Sequence, residues 1–259
     1  MRNKTAFVFA LFCVFLLSVF FFCFQNFNLY DDNSENGKYT AVIIEPREHK
    51  ALAFVLKNFL DNLSDEWNIL IMHGNKNVDF VANIIDNDLA KYRSRIQLHN
   101  LQVDNLTIDD YNQLLVNEEF YQHIPTEIFL IFQTDTMICN KDKLNEFLDY
   151  DYVGAPWSWL GSEKKGGNGG LSLRRKSKML EKIRQCKNTE DEYEDMYFSN
   201  SCGNLNFPKY EKAKRFSVET VYNDDSFGIH KPWSYLSEEQ LQVISQKCIG
   251  FNTLVEFNK

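Results

Sequence analysis

The sequence predicts an α/β domain with a mixed, mostly parallel central sheet flanked by helices, preceded by one transmembrane helix. Two observations predict it: apolar runs of strand length alternate with stretches at helical spacing, and one long apolar run lies near the N-terminus. The chain has 259 residues, 44% of them hydrophobic, which suffices for a single α/β core because such domains commonly reach ~200 to 250 residues. We divide the chain into a cytosolic tail (1–4), a membrane span (5–24), a tether (25–38) and one domain (39–259).

The N-terminal apolar run predicts a membrane anchor. From Thr5 to Phe24 only Thr5 and Ser18 are not apolar, and a helix of that length spans ~30 Å of hydrocarbon. Arg2 and Lys4 precede the run, so the positive-inside rule predicts a type II single-pass protein whose domain lies on the luminal or extracytoplasmic side. A cleaved signal peptide is the alternative, but the run exceeds the usual ~7 to 15 residues.

The charge balance excludes one class of partner. Acidic residues number 36 and basic residues 28, for a formal net charge of -8. A nucleic-acid-binding protein needs a basic face, so we expect no nucleic-acid partner.

Cysteines and glycosylation sequons bear on the compartment. The domain's cysteines show no CxxC pair, which disfavours a zinc knuckle. Pairing in an oxidising lumen and free buried thiols both remain open. Two sequons, Asn62-Leu63-Ser64 and Asn105-Leu106-Thr107, predict a glycoprotein if they are exposed. The four cysteines are Cys139, Cys186, Cys202 and Cys248.

Strands and helices alternate through the first half of the domain. This order predicts a doubly wound, mostly parallel sheet, and the most hydrophobic run suits a strand buried on both faces. The second half adds a short strand, Leu171–Leu173, and a basic helix from about Arg174 to Lys187. The predicted strands of the first half are Tyr39–Ile44, Trp67–Met72, Arg95–Leu98 and Glu127–Phe132, and the helices are Arg47–Leu63, Val78–Leu89 and Ile108–Val116.

The segment Gln133-Thr134-Asp135-Thr136 directly follows the most hydrophobic strand. A carboxylate at the C-terminal end of such a strand faces the ligand crevice and can hold a divalent cation against a diphosphate. The alternative is that Asp135 caps a following helix.

A glycine-rich run, Gly166-Gly167-Asn168-Gly169-Gly170, lies in the only locally basic part of an acidic chain. Glycines let the backbone approach a ligand and present N–H groups to an anion. The run matches neither a P-loop nor GxGxxG, and a flexible loop beside a solvated helix is the alternative.

Acids and one histidine follow. Glu190 to Asp195 holds five carboxylates in six positions beside aromatic residues; such an acid can be desolvated and serve as a general base, although acids also favour helix starts. His230 lies among apolar residues shortly before Pro232 and is either a ligand or a satisfied structural histidine.

Taken in order, these motifs resemble a known family. The motifs are Ile43-Ile44-Glu45-Pro46-Arg47, His73-Gly74-Asn75, Gln133-Thr134-Asp135-Thr136, Tyr152-Val153-Gly154-Ala155-Pro156-Trp157, Gly167 to Arg174, Glu194-Asp195 and Gly228 to Trp233. Together they resemble a largely uncharacterised glycosyltransferase-like family from giant viruses and some eukaryotes, similar to GT-A fold glycosyltransferases with their Rossmann-like sheet. The resemblance covers about Lys38 to Trp233.

The resemblance implies roles for particular residues. It makes Asp135 and His230 ligands of a divalent metal (Mn²⁺ or Mg²⁺), and Glu194 or Asp195 the catalytic base. Gln133 stands where the family's Asp-x-Asp motif has its first acid, so one metal-binding carboxylate is missing. The implied donor-binding residues are Glu45, Arg47, Gln133, Asp135, Gly169 and Gly170.

The resemblance and the anchor together predict a membrane-anchored glycosyltransferase. It would move a sugar from a nucleotide-sugar donor to a glycan or glycoprotein acceptor by direct, inverting displacement. An inactive glycan-binding or scaffold protein on the same fold is the alternative, and a nucleotide-sugar hydrolase or phosphotransferase ranks third.

Overall fold

A computed structural model describes residues 37–162, 165–188 and 192–259. The predicted tail and membrane span, and nearly all of the tether, lie outside these residues. No helix of the described part is long and apolar enough to cross a membrane. The described residues belong to one compact unit.

The central sheet is mixed and mostly parallel, as predicted. Its strand order is β3-β2-β1-β4-β7-β6; β3, β2, β1 and β4 run parallel, and β7 is antiparallel to both of its neighbours. The strands are β1 (Tyr39–Ile44), β2 (Trp67–His73), β3 (Ile96–Asn100), β4 (Ile128–Phe132), β5 (Thr136–Ile138), β6 (Tyr152–Ala155), β7 (Asn168–Arg175), β8 (Ser217–Val218) and β9 (Gly228–His230).

A second, small sheet of order β5-β9-β8 brings two distant segments together. Strand β5 pairs antiparallel with β9, so that Thr136 lies opposite His230, and the backbone N–H of Lys231 donates to the carbonyl of Asp135 at 3.0 Å. The segment after Asp135 is therefore a strand, and the alternative that Asp135 caps a following helix was wrong. The backbone hydrogen bonds between β5 and β9 determine the conformation of this segment, although its local sequence is typical of a turn.

Helices cover both faces of the sheet. The predicted helix Val78–Leu89 divides into an α-helix and a π-helical turn, Ile84–Asp88. A capping box at Thr107 and Asp110 starts the helix at Ile108. The α-helices are α1 (Leu52–Asn62), α2 (Val78–Asn83), α3 (Ile108–Leu115), α4 (Glu118–Gln122), α5 (Lys176–Gln185), α6 (Glu194–Ser199), α7 (Tyr210–Ala213), α8 (Glu238–Lys247) and α9 (Phe251–Phe257).

The alternation of side chains along β1 supplies two cores. Ala41 and Ile43 face one hydrophobic cluster, and Val42 and Ile44 face the other. All six residues of the strand are buried, which explains its continuous apolar sequence. The rigid sheet fixes the ends of β1 and β4, where polar residues begin.

Strand β7 is longer than predicted. It spans Asn168–Arg175 in place of Leu171–Leu173 and takes up the end of the glycine run. Arg174 consequently belongs to a strand, and the basic helix starts only at Lys176. Glycine's low strand preference concealed this strand in the sequence.

Two disulfides join the four cysteines of the domain. Cys139, just after β5, pairs with Cys248 at the end of α8, and Cys186 pairs with Cys202. The sequence had left pairing and free thiols open. The second bridge closes the segment between α5 and the residues that follow α6.

Candidate active site

A cavity of about 830 Å³ opens beyond the C-terminal ends of β1 and β4, the position where open α/β sheets bind ligands. Its lining residues come from both halves of the chain, from the end of β1 to the region of β9. All the residues predicted for the site line it: Glu45, Arg47, Gln133, Asp135, Gly169, Gly170, Glu194, Asp195 and His230.

One wall of the cavity carries an imidazole between two carboxylates. Asp135 Oδ1 lies 3.4 Å from His230 Nε2, and Glu219 Oε1 lies 3.4 Å from His230 Nδ1. Both acids line the cavity, and the pairing of β5 with β9 sets Asp135 beside His230. Glu219 was not predicted; it follows β8, the neighbour of β9 in the small sheet.

The charges of this group shift each other's protonation. Burial alone would lower the pKa of His230, but the negative charges of Asp135 and Glu219 outweigh it and raise that pKa to about 10. Burial alone would raise the pKa of the Asp135 carboxyl. The neighbouring His230 outweighs burial and holds that pKa below its usual value. With no cation beside it, the imidazole is therefore protonated.

The predicted metal ligands fit a divalent cation. Asp135 Oδ1 and His230 Nε2 are 3.4 Å apart, so both can reach one cation at the usual ~2.0 to 2.3 Å. Asp135 Oδ1 is buried and accepts no hydrogen bond from any described residue. No three His, Cys, Asp or Glu side chains in the described ranges are grouped to hold a metal. Magnesium commonly binds through one or two carboxylates plus substrate phosphates and water.

The charges around the cavity are largely paired. Glu45 pairs with Arg47, Glu194 pairs with Arg174 behind the lining, and Asp135 and Glu219 flank His230. The acidic lining residues are Glu45, Asp135, Glu194, Asp195 and Glu219; the basic ones are Arg47, Lys231 and His230.

Glu194 and Asp195 are adjacent in the first turn of α6 but differ in environment. Glu194 pairs with the fully buried guanidinium of Arg174 through both oxygens, at 3.0 and 3.1 Å. Arg174 also donates to Ser172 Oγ at 2.9 Å and stacks near the ring of Tyr152. Glu194 is thus held as a structural anion.

Asp195 has no cationic partner at hydrogen-bonding distance among the described residues. Its oxygens accept from the backbone N–H of Met196 at 2.7 Å and of Gly169 at 3.4 Å. Burial, with the charge of Glu194, raises the pKa of Asp195 to about 7. A carboxylate of this pKa can take a proton near neutral pH, which is what a general base requires.

The two glycines predicted for the pocket make room for these side chains. A β-carbon on Gly169 would lie 2.0 Å from Glu194 Oε1, and one on Gly170 would lie 2.4 Å from His230 Nε2. Contacts that short do not occur between real side chains. Gly169 therefore lets Glu194, and Gly170 lets His230, lie against the backbone of β7.

Just beyond the end of β1, Arg47 and Glu45 form a bidentate pair in the lining of the cavity. Arg47 Nε and Nη2 donate to the two carboxylate oxygens of Glu45, each at 2.8 Å. Asn77 holds the segment by donating to the carbonyls of both residues, at 2.8 and 3.0 Å. Arg47 remains more than half exposed and has donors left for a ligand.

Exposed aromatic side chains stand among the residues that line the cavity. Trp159, Tyr193 and Tyr235 are 61%, 59% and 51% exposed. Large apolar side chains that remain exposed around one cavity are typical of a binding surface. None of the three was singled out as a site residue in the sequence.

Two polar residues of the site region, Glu219 and Arg174, were given no role from the sequence. Glu219 lies in a polar stretch without a motif. Arg174 looked like the start of a solvated basic helix. A signal for Arg174 does exist: it alternates with Ser172 on a strand, so the two lie on one face.

A family model described as "Protein of unknown function (DUF5672)" matches residues 95–230, more than half of the chain. No curated protein matches the sequence significantly.

Solved structures similar to this chain include glycosyltransferases. The galactosyltransferase LgtC in complex with donor and acceptor sugar analogs has a TM-score of 0.51 at 10% identity, over 85% of this chain and 94% of LgtC. At this identity the likeness shows the fold alone, a GT-A-like fold.

Two further structures are less similar. S. aureus TarS in complex with UDP-GlcNAc has a TM-score of 0.46 at 14% identity, over 85% of this chain and 70% of TarS. The mannosyltransferase PcManGT from Pyrobaculum calidifontis, in complex with GDP-Man and Mn²⁺, has a TM-score of 0.46 at 13% identity, over 66% of this chain. The chain spans about half of PcManGT, 53%.

Proposed function

The chain belongs to the DUF5672 family, whose activity is unknown, and we propose that it is a glycosyltransferase using a nucleotide-sugar donor. The observation that carries this proposal is the arrangement of the cavity. His230 of the Asp135–His230 pair packs against Gly170, and the high-pKa carboxylate of Asp195 accepts from the backbone N–H of the adjacent Gly169. One group suits a leaving diphosphate and the other an attacking hydroxyl.

The donor would lie between Glu45 and His230. The Glu45–Arg47 pair offers hydrogen bonds to the nucleoside, and Asp135 with His230 would hold a divalent cation beside the diphosphate. When bound, that cation neutralises the charge that develops on the departing nucleoside diphosphate. The backbone of Gly169 and Gly170 leaves room for the sugar.

Asp195 would be the base and Glu194 its neighbour in a structural role. As the acceptor oxygen bonds to the anomeric carbon, the bond from that carbon to the diphosphate oxygen breaks, and the hydroxyl proton passes to Asp195. A single base suffices for one direct displacement, so we propose inversion at the anomeric carbon. Glu194 raises the pKa of Asp195 by its charge and is itself held by Arg174.

We further propose that the acceptor is a glycan or glycoprotein on the non-cytosolic side of a membrane. The apolar run Thr5–Phe24 supports an anchor of type II. The two disulfides support an oxidising compartment for the domain. These are independent arguments, one from the sequence and one from the fold.

A second candidate is a glycan-binding protein without catalysis. Gln133 in place of an acid and the exposed aromatic side chains in the lining of the cavity favour it. Such a protein would bind glycans without responding to nucleotides or metals.

The test uses the purified full-length protein with a panel of UDP-, GDP- and CDP-sugars, with and without Mn²⁺. Nucleoside diphosphate release and the mass of the product are measured. We expect donor-specific release, and a loss of about 100-fold or more in Asp135→Asn and Asp195→Asn. Asp225→Asn, an exposed acid paired with Lys143 away from this cavity, is the matched control. Undiminished release in both cavity variants would overturn the assignment, and glycan binding without any donor response would favour the second candidate.

A further inference from the structure

Glu219 is a buried acid of the cavity, and the proposed transfer mechanism assigns it no role. It is 3% exposed and lies one residue beyond β8. Its Oε1 is 3.4 Å from His230 Nδ1, an ion-pair distance, and Nδ1 itself makes no hydrogen bond to the described residues. Its Oε2 is buried and accepts no hydrogen bond from the described residues. Burying a carboxylate costs free energy unless it is paired, so its partner indicates its role.

The two carboxylates occupy opposite sides of one imidazole. Asp135 is at Nε2 and Glu219 at Nδ1. When a cation takes the place of the proton at Nε2, a carboxylate at Nδ1 favours the tautomer that keeps its proton there, and the Nε2 lone pair is then available to the cation beside Asp135 Oδ1. Histidines that ligate metals commonly donate their other N–H to a carboxylate, which fixes the ring and raises its basicity.

From this geometry we propose that Glu219 is a positioning residue, which holds His230 Nδ1–H so that Nε2 and Asp135 Oδ1 together bind a divalent cation. The inference rests on the cation of the proposed function. It also accounts for Gln133: the second carboxylate, missing from the Asp-x-Asp position, is supplied from another part of the chain and acts through the histidine.

Direct ligation by Glu219 does not fit the contacts. Its near oxygen faces the ring nitrogen opposite to the one beside Asp135, and no three acidic, histidine or cysteine side chains in the described part of the chain surround one point. Gly170 completes the arrangement, since it leaves the ring no β-carbon to avoid.

The test measures Mn²⁺ binding by the full-length protein, alone and with UDP or GDP, by titration calorimetry and by the loss of free Mn²⁺ in electron paramagnetic resonance. We expect Glu219→Ala to weaken Mn²⁺ binding about 10- to 100-fold. Glu219→Gln keeps an acceptor for Nδ1–H but loses the charge, so its affinity should fall between wild type and Glu219→Ala. Glu146→Gln, in a pair with Arg215 outside the cavity, should bind Mn²⁺ as wild type does.

A double-mutant cycle separates positioning from general damage. If Glu219 acts through His230, then Glu219→Ala has no further effect in a His230→Ala background. Equal losses in both backgrounds, wild-type affinity in Glu219→Ala, or absence of Mn²⁺ binding by the wild type under all these conditions would each overturn the proposal. Metal binding is read without sugar transfer, so a protein that binds Mn²⁺ in this manner but transfers no sugar would refute the proposed function alone.

Discussion

Arg174 and Glu194 form a buried ion pair in which both carboxylate oxygens face the guanidinium, at 3.0 and 3.1 Å. The pair connects strand β7 to the first turn of α6. It therefore fixes the position of Asp195, the next residue of the chain, relative to Gly169. An arginine with no exposed surface holds the proposed base in place without touching the cavity.

Replacing Arg174 with Leu should destabilise the protein by about 3–5 kcal/mol, because Glu194 is left buried without its counter-charge. Urea unfolding at pH 7 measures the free energy of unfolding.

The double variant Arg174→Leu/Glu194→Leu is the matched comparison. It removes both charges, so it should recover a large part of the loss. A single variant within about 1 kcal/mol of wild type would contradict a stabilising role for the pair, since breaking a buried pair normally costs more than that.

Gly170→Ala should displace His230. The new β-carbon would lie 2.4 Å from Nε2, so either the imidazole or the backbone of β7 must move, at a cost of about 1–3 kcal/mol. We expect Mn²⁺ binding by calorimetry to weaken at least as much as in Glu219→Ala.

Gly161→Ala serves as its control. Its β-carbon would meet nothing within 4 Å, although its φ of +73° makes the substitution strained by roughly 1–2 kcal/mol. It should lower stability and leave Mn²⁺ affinity unchanged. Equal Mn²⁺ affinities of Gly170→Ala and Gly161→Ala would show that the close packing of His230 against Gly170 is not needed for Mn²⁺ binding.

Transfer activity should depend on the protonation of Asp195. Burial raises its pKa to about 7, and the base is active only when deprotonated. We expect kcat/KM to rise about tenfold per pH unit below pH 7 and to level off above about pH 8. A flat profile between pH 5 and 8, measured as nucleotide release, would exclude Asp195 as the base.

The same pKa predicts how stability changes with pH. The unfolded chain ionises Asp195 near ~3.9, so between about pH 4 and 7 the folded state holds a proton that the unfolded state has lost, and wild-type stability falls as pH rises. The variant Asp195→Asn has no ionisable group at this position, so its stability does not fall with pH for this reason. From pH 4 to pH 8 the variant should gain up to roughly 4 kcal/mol relative to wild type, as measured by urea unfolding at each pH.

How far the sequence predicts this site depends on how local the interactions are. The strand Tyr39–Ile44 and the position of Asp135 after β4 follow from local apolar runs, and the structure has both. The pairing of β5 with β9 does not, because it joins residues about ninety positions apart through backbone hydrogen bonds. Glu219 becomes meaningful only through that pairing. The sequence predicted which residue types the chemistry needs, but not which distant acid faces His230.

Trp159 should contribute to acceptor binding under the proposed function. It is 61% exposed and lines the cavity, and a rigid aromatic face packs well against the apolar face of a sugar ring. We expect Trp159→Ala to raise the acceptor KM about tenfold while release of nucleotide to water, without acceptor, stays unchanged. Ile249→Ala, an exposed apolar residue outside the cavity lining, should change neither rate. A parallel loss of both rates in Trp159→Ala would place Trp159 at the donor instead.

The two disulfides should differ in their effect on stability. Cys139–Cys248 spans 109 residues and Cys186–Cys202 spans 16. A crosslink restricts the unfolded chain more when its loop is longer, so removing the first should cost about 4–5 kcal/mol and the second about 3 kcal/mol. Urea unfolding of the two paired Cys→Ser variants tests this order, and the mass of peptides from the unreduced wild type identifies the bridges. Four alkylatable thiols in the domain would exclude both pairs, and with them the disulfide argument that the domain lies in an oxidising compartment.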